Sequence, residues 1–186
     1  MMSLRNKLYP WGLTTTEQWE RHSLHSHGSQ YHITHADIQV APEYLDGLNR
    51  LFAPAGVNLN SIATLPQLEA AYSTWYAQAS EKERRRLRLK VAKRLIPTVA
   101  TNSQRMERRV LLSMSRYVHA RNVTIALAPE GIIAVGDMCA QMGINPTSIT
   151  TLAQFSTLGN KFSSHVMARI IGSAQSASGQ SNPKSP

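Results

Sequence analysis

The chain has 186 residues, of which 42% are hydrophobic, and its formal net charge is +9, from 20 Lys and Arg against 11 Asp and Glu. This length is that of one domain with its own core, and the excess of positive charge predicts a polyanionic partner, nucleic acid before an anionic membrane surface. A single cysteine, Cys139, excludes an intramolecular disulfide, and because no apolar run suits a signal peptide or a membrane span, we expect a cytoplasmic protein with no membrane partner.

Residues 1–41 are a predicted N-terminal arm. Thr14 and Glu17 have the spacing of a capping box, which indicates the start of a short helix. Residues 22–40 alternate polar and apolar around Gly28-Ser29, a pattern typical of a small β-hairpin with its turn at Gly28. The arm is rich in histidine, with His22, His25, His27, His32 and His35. Imidazoles bind zinc, but neither a second ligand type nor an HExxH motif accompanies them, so we interpret them as a polar surface and predict no metal site.

Residues 42–172 form a predicted helical, nucleic-acid-binding domain. Apolar residues recur at helical spacing from Tyr44 to Phe52 and then stop at Pro54 and Gly56. A second helix is predicted near residues 66–79. Aromatic residues on this helix could stack on bases, but at helical spacing they are more typical of a core, and we assign them to the core.

Residues 80–96 predict a cationic amphipathic helix that begins with a capping box at Ser80 and Glu83. Its basic residues outnumber the acidic ones, so we expect it to contact the phosphate backbone of a nucleic acid. A membrane-surface helix is the rival interpretation, and the narrow aliphatic stripe without Trp or Phe argues against it. The predicted phosphate contacts are Arg84, Arg85, Arg88, Lys90, Lys93, Arg94, Arg108 and Arg109.

Beyond Pro97 the pattern predicts a long helix over about residues 104–121, a short β-leaning stretch over 122–127 and a turn over 129–131. Gly159 is expected to break the helical pattern, which resumes over residues 160–172. Residues 173–186 are small and polar and predict a disordered tail.

Residues 135–154 have the pattern of two short helices joined by a tight turn. Cys139 is small enough for a close helix contact, and Gly143 supplies the conformational freedom that the turn needs. Asn145 can cap the second helix, with Pro146 at its first position. The inward positions are apolar, namely Met138, Met142, Ile149 and Leu152. An ordinary helical hairpin is the alternative interpretation.

This stretch resembles the helix-turn-helix of DNA-binding proteins. The resemblance implies that the second helix lies in a major groove and that its polar face reads base edges. The residues expected to contact bases are Asn145, Thr147, Thr150, Thr151 and Gln154. The predicted fold is therefore mainly α, a multi-helix domain with a C-terminal helix-turn-helix and a small N-terminal β-hairpin.

Together with the basic composition, this resemblance implies a sequence-specific DNA-binding protein, a bacterial or mobile-element transcription regulator that binds double-stranded DNA. The alternatives are a plasmid or phage replication or transfer accessory protein, and an RNA-binding or assembly protein without a specific DNA site. A homodimer or another protein partner is compatible with the sequence. The sequence has no P-loop, nucleophile elbow or clustered carboxylate pair, so we predict neither an enzyme nor a cofactor.

Overall fold

The computed structural model describes residues 13–178, with side chains described as far as residue 168 except at 160, 163 and 165. The prediction of a mainly helical fold is confirmed. The regular elements are α1 (Thr15–His27), β1 (Tyr31–Val40), α2 (Pro42–Phe52), α3 (Leu65–Gln78), α4 (Glu81–Arg86), α5 (Asn102–Ser113), β2 (Val118–Leu127), α6 (Pro129–Gln141) and α7 (Leu152–Ser178). None of the helices in the described range is both long enough and apolar enough to cross a bilayer.

The two strands pair as an antiparallel ribbon, with Tyr31 opposite Leu127 and Val40 opposite Val118. A β element in the first 40 residues is thus confirmed, but its partner is not the one expected. The capping box at Thr14 starts a helix that continues to His27, and Gly28 begins a 3-10 turn instead of a hairpin turn. Strand β1 therefore pairs with β2, which lies far from it in the sequence. Strand β1 belongs to the same core as the helices that follow it.

The chain contains an internal repeat, residues 14–78 and 101–165, in which each element of the second half begins 87 residues after its counterpart. Strands β1 and β2, α2 and α6, and α3 and α7 correspond in this way. The strand ladder has the same symmetry, because exchanging the halves turns the pair Tyr31–Leu127 into the pair Val118–Val40. Both inter-helix turns contain a glycine with positive φ, Gly56 at 70° and Gly143 at 64°. The fold is therefore a pseudo-dimer within one chain.

The two halves are intertwined, because the first helix of each packs against the last helix of the other. Helix α1 packs on α7, and α5 packs on α3. A buried arginine also joins the first helix of each half to the strand of the other: Arg21 donates to the carbonyl of Val118, and Arg108 donates to the carbonyl of Tyr31, both at 2.6 Å. The halves consequently share one hydrophobic core.

Helices α2 and α3 are close to their predicted positions, and Trp75 of α3 is buried as expected. The basic helix is much shorter than predicted. Only Glu81–Arg86 is helical, because Leu87 turns into the core, where its carbonyl accepts a hydrogen bond from Tyr72 at 3.0 Å. Residues 88–92 are irregular, and a 3-10 turn follows at Lys93–Leu95.

The second half also differs from the prediction in its boundaries. Helix α5 ends at Ser113, and β2 begins at Val118, where a continued helix was expected. The helix break predicted at Gly159 is wrong, since this residue lies inside α7. Residues 173–178 belong to the same helix, and the remainder of the predicted tail, residues 179–186, lies outside the described residues.

Candidate nucleic-acid interface

The segment between α6 and α7 does not form the predicted tight turn, and the helix-turn-helix is not confirmed. Helix α6 ends at Gln141, and α7 begins at Leu152, six residues later than Pro146. Asn145 redirects the chain, because its side-chain oxygen accepts from the backbone N–H of Thr147 at 3.0 Å, and Pro146–Ser148 becomes a 3-10 turn. Asn145 therefore caps this short turn and not the second long helix.

The predicted base-contact residues nearest α7 take part in capping that helix. The side-chain oxygen of Gln154 accepts from the backbone N–H groups of Thr150 at 2.9 Å and Thr151 at 3.0 Å. The hydroxyl of Thr151 accepts from the Gln154 N–H at 3.2 Å. Reading adenine would require this amide oxygen, so its use in the cap competes with base recognition. Thr147 lies apart from this group, in the 3-10 turn.

The first half makes the same arrangement at the start of α3. Gln67 accepts from the N–H groups of Ala63 at 2.8 Å and Thr64 at 3.1 Å, and Asn58 accepts from Asn60 at 3.0 Å. Because both halves use these residue types in the same way, the capping role accounts for their presence without any ligand.

The ribbon carries a polar group that we name the outer-face cluster, defined as Thr34, His35, Asp37, Asn122 and Thr124. Asp37 and Thr124 are half-buried, and the other three residues are exposed. Two hydrogen bonds join its members across the strands, Thr34 with Thr124 at 2.8 Å and Asn122 to Asp37 at 2.6 Å, and a third joins His35 with Asp37 along β1 at 2.9 Å. The bonds from Asn122 and His35 hold the pKa of the Asp37 carboxyl below its usual range, and the bond from Asn122 is the largest cause. The opposite face of the ribbon supplies core residues.

The start of a helix lies at each edge of the ribbon. Asp37 bridges to Thr64 before α3, and Thr124 bridges to Thr151 before α7. The corresponding backbone bonds are Ile38 N–H to the carbonyl of residue 63 at 2.7 Å and Ile125 N–H to the carbonyl of residue 150 at 2.8 Å. The helix N-termini, which carry positive partial charge, therefore flank the outer-face cluster on both sides.

Most of the predicted phosphate contacts lie in a basic linker, defined as residues 81–94. Its exposed basic residues include Arg88, Lys90, Lys93 and Arg94. Arg85 is exposed and pairs with Glu81 at 3.1 Å, whereas Arg84 is half-buried over the ring of Tyr76 at 4.8 Å.

Two predicted phosphate contacts lie on α5. Arg108 is only 3% exposed, so its prediction as a phosphate contact on the surface is wrong. Helical spacing alone could not separate it from its half-buried neighbour Arg109.

The histidines of the arm do not lie together on strands. His22, His25 and His27 lie on α1, and His32 and His35 lie on β1. Among the described residues, no group of three or more His, Cys, Asp or Glu side chains could hold a metal ion. Burial lowers the pKa of His25, His27 and His32.

Comparison of the chain with models of protein families, with curated proteins and with solved structures finds no match. The outer-face cluster was missed at the sequence level because its members are about 90 residues apart. The signal that could have found it is the repeat, since His32, Ile38, Pro42 and Glu43 recur 87 positions later as the same residue types.

Proposed function

We propose that this protein binds double-stranded DNA with the outer face of its ribbon. The observation that supports this most directly is the hydrogen-bonding outer-face cluster on a two-stranded antiparallel ribbon in a chain of net charge +9. The major groove of B-DNA is wide enough to admit such a ribbon. In this proposal the ribbon takes the role that we first assigned to residues 135–154.

The cluster and its surroundings have the chemistry that base edges require. Gln39 carries an amide of the kind that binds adenine through two hydrogen bonds, and the Asp37 carboxylate can accept from the amino group of cytosine. The amide nitrogen of Asn122 already donates to Asp37, so its amide oxygen is the group that can accept from a base. Thr34 and Thr124 offer hydroxyls to either kind of base or methyl groups to thymine. Gln39 is exposed near the end of β1 and extends the polar surface of the cluster along the strand.

Two features suit contact with the phosphate backbone. The starts of α3 and α7 lie at the two edges of the ribbon, and helix N-termini favour phosphate there because of their partial positive charge. The basic linker adds exposed Arg and Lys side chains. These contacts would position the ribbon and supply the salt-dependent part of the affinity.

The symmetry of the chain has a consequence for the DNA site. A pseudo-two-fold ribbon favours an inverted repeat, because the symmetry of a site mirrors that of its protein. The two strands are not identical, since Asn122 is the counterpart of His35 and Ala126 is the counterpart of Gln39. We therefore expect an imperfect inverted repeat, in which only one half-site depends on Gln39.

Regulation of transcription in a bacterium or on a mobile element is the biological role that we propose for this binding. The rival is an RNA-binding or assembly protein without a specific site. Competition among a selected duplex, single-stranded RNA and heparin separates these functions. Retention of the selected duplex at raised salt supports the proposal, whereas equal loss of all three ligands supports the rival.

A further inference from the structure

The last helices of the two halves differ at one equivalent position, which is a buried tyrosine in α3 and an exposed glycine in α7. In the first half, Tyr72 of α3 is 3% exposed and lies beside Trp75, with ring centroids 5.6 Å apart. Its hydroxyl donates to the carbonyl of Leu87. The tyrosine ring thus fills the space between Trp75 of α3 and the basic linker at Leu87.

The counterpart of Tyr72 in the second half is Gly159 of α7. A cavity of about 340 Å³ lies here between α1, α6 and α7. Its aromatic lining is Trp19, Phe155 and Phe162, and Trp19 is 47% exposed at this site. Gly159 is exposed, and the added Cβ of a larger residue there would meet no atom within 4 Å, so the cavity is open at this residue.

The lining also has a polar side, formed by residues of α1 and the turn after it. His22, Ser23 and His27 contribute ring nitrogens and a hydroxyl. The buried Ser23 hydroxyl lies beside the Tyr31 hydroxyl, and within the described residues neither makes a hydrogen bond of ordinary geometry. No Asp, Glu, Lys or Arg occurs among the described lining residues, so a charged ligand would have no partner of opposite fixed charge.

We infer that this cavity binds a neutral aromatic molecule the size of a tyrosine side chain, of the phenol or indole class, in the space that Tyr72 fills in the other half. Cavities with apolar walls and a few polar groups are the usual form of small-molecule sites, and a cavity left by a missing side chain can accept a ligand of the same shape. This inference does not depend on DNA binding.

The test uses p-cresol, which is the tyrosine side chain itself, titrated into the full chain while tryptophan indole N–H signals and heat of binding are measured. Saturable binding is expected for the wild type and for Gly159→Ala, which leaves the cavity open. Gly159→Tyr should weaken binding by at least about tenfold, because the new ring occupies the site. Equal binding by wild type and Gly159→Tyr, or no saturation in the wild type, overturns the inference.

A second blocking variant guards against misfolding of Gly159→Tyr. Ala134 of α6 is exposed and lines the same cavity, so Ala134→Phe narrows it from the solvent side without disturbing the core. This variant should also weaken p-cresol binding by at least about tenfold. Unchanged binding by a folded Ala134→Phe protein would contradict the proposed location.

Discussion

Arg21 and Arg108 occupy equivalent positions 87 residues apart, and each donates a 2.6 Å hydrogen bond to a backbone carbonyl of the opposite half. Both side chains are more than nine-tenths buried. Each bond fixes the first helix of one half to the strand of the other. Separation of the halves would therefore break both of these buried hydrogen bonds.

Replacement of Arg108 should be costly for stability. Arg108→Ala removes the bond to the Tyr31 carbonyl and the contact with the Tyr31 ring, 4.9 Å from the guanidinium carbon, and leaves the carbonyl buried. We expect a loss of about 2–4 kcal/mol in the free energy of unfolding, measured by urea denaturation. The control is the half-buried neighbour Arg109, where alanine should cost no more than about 0.5 kcal/mol. Equal losses for the two variants would show that the buried bond contributes nothing.

Two glycines of α6 should respond oppositely to alanine. A Cβ at Gly131 would lie 1.8 Å from the carbonyl oxygen of Gln30, whereas one at Gly136 would meet nothing within 4 Å. Gly131→Ala should lower the free energy of unfolding by about 3 kcal/mol, because the backbone must move. Gly136→Ala should raise the free energy of unfolding by about 0.5–1 kcal/mol, because alanine has the higher helix propensity. Thermal unfolding of both variants measures this difference. A stable Gly131→Ala protein would mean that α6 does not approach the turn after α1 so closely.

Stability should decrease as pH falls below about 6.5, the ordinary pKa of histidine. Burial lowers the pKa of His119. The positive charges of Arg21 and Arg121 lower it further, whereas the negative charges of Glu17 and Glu43 oppose the shift. The folded protein then binds fewer protons than the unfolded chain, so this stability is full above pH 6.5 and is lost as pH falls toward the folded-state pKa. His119→Gln should reduce the difference in urea stability between pH 7.5 and 5.5.

Other titratable groups with shifted pKa values also contribute to the dependence of stability on pH. Burial raises the pKa of the Glu20 carboxyl, which acts in the opposite sense, but this residue is the same in both proteins. His25 and His27 also have lowered pKa values, so part of the pH dependence should remain. An identical pH dependence in wild type and His119→Gln would contradict the assignment.

The basic linker should contribute to binding without regard to sequence. Replacing Arg84, Arg85 and Arg88 by Gln is expected to weaken binding to selected and random duplexes about equally and to flatten the dependence of affinity on salt. Electrophoretic mobility shift or fluorescence anisotropy at several salt concentrations measures the slope. A slope equal to that of the wild type would show that the linker faces away from the DNA.

The sequence-level predictions succeeded where a local pattern decides the structure. Apolar spacing and the breaks at Pro54 and Gly56 located α2, and the capping box at Thr14 located the start of α1. The helical tendency of residues 135–141 was also real, because they lie within α6. In each case the determining residues are neighbours in the chain.

The predictions that were wrong concern features that residues distant in the chain determine. Pairing of β1 with β2 depends on contacts about 90 residues apart, which no local window contains. The linker helix ends early because Leu87 packs against the distant Tyr72, and Arg108 is buried by the other half of the chain. Polar residues near α7 suggested base contacts, although Asn145 and Gln154 satisfy backbone N–H groups.

The most direct test of the account is the ratio of affinities for a selected duplex and a random duplex, measured for Gln39→Ala and Thr147→Ala. Gln39 lies on the ribbon, and alanine there matches its counterpart Ala126, whereas Thr147 lies in the turn before α7. We predict that Gln39→Ala lowers the ratio by about 5- to 150-fold, equivalent to about 1–3 kcal/mol for a direct base contact, and that Thr147→Ala leaves it unchanged. A ratio that falls with Thr147→Ala and stays constant with Gln39→Ala would contradict reading by the ribbon and would return recognition to residues 135–154.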